Sequence, residues 1–124
     1  MTPKELANKI IEILDEKKAN NIKLLHVEKQ TIIADYFIIC TGTSNTQIRA
    51  LADEVSEKMR LTGVEPKNIE GFNEASWILL DFSSVIVHIF NRETRNFYNL
   101  EKLWIDSTEI EILTTKTKEN GKIE

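Results

Sequence analysis

The sequence predicts an α/β fold: a single domain with a mixed β-sheet flanked by helices. Three observations predict it. The apolar runs "YFIIC", "WILLDF" and "VIVHIF" are rich in aromatic and β-branched residues and read as strands. Segments with apolar residues at three- and four-residue spacing read as helices between and around them. Strands joined through a helix suggest a βαβ element, with helices packed on the sheet. The chain has 124 residues, which is one domain's worth. A domain of that size buries roughly two-thirds of the surface its unfolded chain exposes.

The elements follow in order. "TPKELANKIIEIL" opens with Thr2 as N-cap, Pro3 at the first helical position and Glu5 three residues after the cap. Leu6, Ile10 and Leu14, with Ala7 and Ile11, form one apolar stripe, so a helix is expected from about Pro3 to Lys18. Asn20-Asn21 should break it. "IKLLHVE" and "YFIIC" read as strands, joined by "KQTIIAD", which has no Gly or Pro to fix a tight turn. A second helix is expected from about Asn45 to Leu61, with Ile48, Leu51, Ala52, Val55 and Met59 inward and Gly63 as a left-handed cap. "VEPKNIEGFNEAS" reads as a loop with a short extended piece at Asn68–Glu70. "WILLDF" and "VIVHIF" form a hairpin across Ser83-Ser84, a poor dipeptide for a type I′ turn. "RETRNFYNLEKLW" is helical in character, and "STEIEILTTK" alternates like a strand. The domain is expected over residues 1–113, with a mobile polar tail at 114–124.

Charge and composition narrow the function. Sixteen Lys and Arg against twenty Asp and Glu give a net charge of −4. An acidic body is poorly suited to holding nucleic acid by phosphate neutralisation and suits a basic protein partner. The basic residues are dispersed apart from Lys116, Lys118 and Lys122. Cys40, the single cysteine, lies in an apolar run and reads as a buried small residue. One cysteine and no signal peptide point to a reducing cytosol. No apolar stretch approaches the roughly 20 residues of a membrane span.

"TGTSNTQ" follows the strand "YFIIC" and opens the second helix. It has neither a Walker motif nor G-x-G-x-x-G. Ser44 and Gln47 form a capping box, and Gly42 lets the chain turn sharply off the strand. The rival reading is metal-dependent nucleotidyl transfer, which needs paired carboxylates for Mg²⁺. Asp81 would be one, with Asp35 the candidate second. Leu79 stands where another acid would share the face of Asp81. No metal or other cofactor is expected.

With a two-residue turn, Phe82 pairs with Val85. Ile78, Leu80, Phe82, Val85, Val87 and Ile89 then share one wholly apolar face. Trp77, Leu79, Asp81, Ile86, His88 and Phe90 share the other. That second face is either core, with a satisfied histidine, or a protein-binding surface with Trp77 as anchor. "RNFYNLEKLW" holds Phe97, Tyr98, Leu100, Leu103 and Trp104, a density usual in a core. Tyr98 and Trp104 are also candidates for self-association. Arg95 is expected to pair with Asp81 or Glu101.

"DYFIICTGTSNTQIRALADEV", "EG", "WILLDFSSVIVHIF" and "RNFYNLEKLW", in this order and spacing, resemble the ribosomal silencing factor family, also called Iojap. The resemblance runs from the first helix to Trp104. It includes Asp35, Tyr36, Gly42, Thr43, Ser44, Gln47, Glu70, Gly71, Trp77, Leu80, Asp81, His88, Phe90, Arg95, Tyr98, Leu100, Glu101 and Trp104. It implies a nucleotidyltransferase-like fold without catalytic activity. It implies binding to the large ribosomal subunit through ribosomal protein L-fourteen, steric block of small-subunit joining, and lowered translation when nutrients are scarce. It also implies a dimer when free. On the hairpin reading, Glu70, Trp77, Leu79, Asp81, His88 and Phe90 are the expected partner-binding residues. The family often has a Gly-containing turn where this chain has Ser83-Ser84. A third possibility is a dimeric scaffold whose hairpin face is only a self-interface.

Overall fold

The computed structural model describes residues 1–104 and 108–110. Its elements are α1 (Pro3–Glu16), β1 (Asn20–His26), β2 (Tyr36–Thr41), α2 (Asn45–Leu61), β3 (Asn68–Glu70), β4 (Trp77–Asp81), β5 (Val85–Phe90), α3 (Arg92–Tyr98), α4 (Leu100–Leu103) and β6 (Thr108–Ile110). The sheet order is β3-β4-β5-β2-β1-β6. β2 and β5 run parallel, while the other pairs are antiparallel, so the sheet is mixed. The expected tail at 114–124 lies outside the described residues, as do Lys116, Lys118 and Lys122.

Local chemistry sets the helix ends. Thr2 and Glu5 make the full capping box at α1. The helix stops at Glu16, two residues early, because Lys18 enters the left-handed region. Asn20-Asn21 does not merely break it: β1 begins there, with an irregularity in pairing between Asn20 and Lys23. At the end of α2 the Gly63 N–H donates to the Arg60 carbonyl and the Val64 N–H to the Met59 carbonyl, a Schellman closure.

At the start of α2 the Gln47 N–H donates to Ser44 Oγ at 3.0 Å, as expected. The reciprocal bond differs. Gln47 Oε1 accepts from the Thr43 N–H and hydroxyl, one residue before the cap. Gly42 has an ordinary φ. It is needed for space, because a Cβ there would come within 2.6 Å of the fully buried Ile48 side chain.

The segment after β5 is not one helix. Asn99 takes φ 49, ψ 59 and divides it into α3 and α4. Asparagine tolerates that conformation better than most residues. Phe97 and Leu103 are consequently not core; they are 81% and 71% exposed.

α1 and α2 pack on one side of the sheet. Ile38, Cys40, Ile78, Leu80, Val87 and Ile89 meet Leu6, Ile10, Leu14, Ile48, Leu51 and Val55 there. The other side holds Leu25, Phe37, Ile39, Ile86 and Phe90, with Leu100 and Trp104 laid against it. Burial pushes the Cys40 thiol up to about 12, so it behaves as a small apolar residue.

Candidate protein-binding surface

The hairpin register is the one the two-residue turn requires. The Phe82 N–H donates to the Val85 carbonyl, Asp81 pairs with Ile86, Leu79 with His88 and Trp77 with Phe90. The Ser83-Ser84 turn works because Asp81 supplies what the dipeptide lacks. Its Oδ1 accepts from the Ser83 N–H at 2.7 Å while Ser83 holds φ 72. Asp81 is thus a turn-forming residue as well as a surface acid.

β3 extends this face. Glu70 pairs with Leu79 and Asn68 with Asp81, and directly opposed residues share a face. Glu70 is exposed, while Trp77, Leu79 and Asp81 are half-buried. Both acids therefore adjoin Leu79, Glu70 across the strand pair and Asp81 two residues along β4, beside a partly exposed apolar centre. Asn68, outside the expected partner set, donates to Glu70 Oε2 at 2.6 Å. Strand pairing is the signal that locates it. Gly71 brings the preceding loop against β4. It holds φ 79, and a Cβ there would lie 2.2 Å from the Trp77 carbonyl oxygen.

His88 and Phe90 lie beneath this surface, both buried. The Trp77 Nε1–H donates to His88 Nδ1 at 3.1 Å. That bond needs a neutral imidazole, which burial also favours by pulling the His88 pKa down to about 4. His88 Nε2 is buried without a hydrogen-bond partner among the described residues. Phe90 lies 4.9 Å from Trp77 between ring centroids, tilted by 30°, and Tyr98 approaches Trp77 from α3 at the same distance. The two readings of this face therefore divide by residue. His88 and Phe90 are core supports, while Trp77 and Leu79 keep accessible edges.

Of the two aromatic residues marked for self-association, Tyr98 is exposed. Trp104 is half-buried, edge-on to Phe37 at 5.2 Å. Phe97 and Leu103 are more accessible than either. Arg95 is buried and pairs with Glu101, with Nη2 to Oε2 at 2.7 Å. It also donates to the Asn21 carbonyl and the Thr41 hydroxyl.

The arrangement required for nucleotidyl transfer is not formed. Asp35 precedes β2, and Asp81 pairs with Ile86 near the start of β5. Gly42–Ser44 follow the far end of β2. Six strand residues separate the two ends, roughly 20 Å. Asp35 and Asp81 cannot converge on the Gly-Thr-Ser turn. Among the described residues no group of three or more His, Cys, Asp or Glu could hold a metal ion. No described helix is long and apolar enough to cross a membrane.

A family model described as "Ribosomal silencing factor during starvation" matches residues 1–124. The chain belongs to the ribosomal silencing factor family. Its relatives include the ribosomal silencing factor of Bacillus subtilis, 44% identical over 93 residues, covering 75% of this chain and 79% of that one. The ribosomal silencing factor of Halalkalibacterium halodurans is 38% identical over 112 residues, covering 90% and 96%. A crystal structure of a Chromobacterium violaceum protein superposes with a TM-score of 0.83 at 31% identity, covering 94% and 98%. The family resemblance read from "WILLDF", "VIVHIF" and "RNFYNLEKLW" thus agrees with relationships extending over nearly the whole chain.

Proposed function

We propose that this protein is a cytoplasmic, non-enzymatic ribosomal silencing factor. It binds the large ribosomal subunit through ribosomal protein L-fourteen and sterically blocks docking of the small subunit. It thereby represses translation under nutrient limitation. The observation that supports this most is the half-buried Trp77–Leu79 centre flanked by Glu70 and Asp81.

Apolar groups with accessible edges give a partner something to bury, and acids at the rim match a basic ribosomal protein. In this reading Trp77 is the anchor and Leu79 widens the apolar contact. Glu70 and Asp81 face Lys or Arg. His88 and Phe90 act from beneath by fixing the Trp77 ring. An interface of about 800 Å² on each partner would be enough for occlusion. Little direct contact with nucleic acid is needed, in keeping with the net charge of −4.

When free, the protein is proposed to pair with a second copy through the exposed Tyr98 region, with Phe97 and Leu103 contributing. The test is co-sedimentation with isolated large and small subunits, followed by a subunit-joining assay. Large-subunit binding with loss of joined particles is the expected result. Failure to bind at low salt would overturn the proposal. Sedimentation of free Phe97→Ser and Tyr98→Ser variants separates self-association from ribosome binding.

A further inference from the structure

An open polar cleft of about 700 Å³ lies at the end of the sheet remote from Asp81. Its lining includes Asn21, Thr41, Thr43, Arg92, Arg95 and Asn99. β2 and β5 are parallel neighbours and both end here, at Thr41 and Phe90. Their continuations part. β2 leads into α2 on one face of the sheet, while β5 leads into α3 and on to Leu100 and Trp104 on the other. This is a topological switch point, the place where open α/β sheets leave a crevice outside the carboxyl ends of their strands.

The lining defines what could bind. Arg95 is not available as a free cation, because Glu101, the Asn21 carbonyl and the Thr41 hydroxyl hold it. It makes a fixed floor joining β1, β2 and α4. Arg92 is exposed and has no ion-pair partner among the described residues. Arg92 and Arg95 against Glu101 leave the cleft one positive charge in an acidic protein. The remaining lining groups are amides and hydroxyls, without an aromatic ring on which a nucleobase would stack. The volume lies within the usual range of small-molecule sites, about 300–1,000 Å³.

We infer that the crevice between the β2–α2 and β5–α3 connections is a binding site for a small hydroxylated anion of the sugar-phosphate type. Arg92 receives the anionic group, and the asparagine and threonine side chains receive the hydroxyls. Its lining shares no residue with the Trp77 surface, and binding there requires no ribosome.

The experiment is titration of the full ¹⁵N-labelled chain with ribose 5-phosphate, followed by amide shifts, with inorganic phosphate and ribose as separate probes. Saturable shifts of Thr43, Arg92 and Asn99, with a Kd of about 1 mM or tighter, are expected. Ribose 5-phosphate should bind more tightly than inorganic phosphate or ribose. Asn96 also lines the cleft, and Arg92→Gln and Asn96→Asp, both at exposed positions, should each weaken binding about tenfold, which is about 1.4 kcal/mol. Equal affinity for inorganic phosphate would mean an adventitious ion only and would overturn the inference. So would an absence of cleft shifts, or affinity unchanged in both variants.

Discussion

The two faces of the sheet are built from alternate residues of the same strands and do different work. On the helix side, Ile38, Ile78, Leu80, Val87 and Ile89 are fully buried against α1 and α2. On the other side, the short α3–α4 segment covers Phe37 and Phe90, while Trp77, Leu79 and Asp81 keep exposed edges. The difference comes from cover. Two long amphipathic helices can seal a face, whereas two short helices divided at Asn99 cannot. An incompletely covered face must either tolerate its apolar edges or use them.

Neighbouring leucines give the sharpest contrast. Leu80→Ala opens a cavity on the sealed face and should cost about 2–5 kcal/mol in urea denaturation. Leu79→Ala, one residue away, should cost about 1 kcal/mol and mainly weaken ribosome binding. Equal losses of stability would erase the distinction between the faces.

The faces should also differ in response to acid. Cys40 on the helix side stays protonated across the acidic and neutral range. His88 on the other side is held neutral by burial down to about 4, against an ordinary value of 6.5. Below pH 6.5 the unfolded chain takes up this proton and the folded chain does not. Protonation therefore favours unfolding as pH falls through that window. The loss should reach on the order of 3 kcal/mol near pH 4. His88→Phe should flatten that part of the stability–pH curve relative to the parent protein; a parallel curve would contradict the assignment.

Trp77→Ala should reduce large-subunit affinity by about 2 kcal/mol, roughly thirtyfold, in quantitative co-sedimentation. The circular dichroism spectrum should stay folded. Unchanged affinity with intact structure would remove Trp77 as the anchor. Glu70→Gln should have the smallest effect, under about 1 kcal/mol, mostly as slower association at low salt. Stopped-flow binding at two ionic strengths measures it.

Much of this was legible because it depends on local rules. The Thr2–Glu5 box, the α2 boundaries and the two hairpin faces follow from caps, helical spacing and a two-residue turn. Trp77, Leu79, Asp81, His88 and Phe90 share one side of β4 and β5 for the same reason, while Glu70 joins them through the pairing of β3 with β4. The aromatic segment was less legible. Its composition suggested core, but the Asn99 break leaves Phe97 and Leu103 outward. Arg95 was partly legible: Glu101 is six residues away, but the Asn21 carbonyl is 74 away.

The sequence by itself determined strand and helix identity, the side of the sheet each hairpin residue takes, and membership of the silencing-factor family. These rest on periodicity, caps and extended sequence similarity. Tertiary structure decided which half of the second face stays accessible, that His88 supports Trp77 from below, and that Asp35 and Asp81 lie far from the Gly-Thr-Ser turn. Exposure and convergence depend on how distant segments pack. A strand pattern tells which way a side chain points, but not what arrives to cover it.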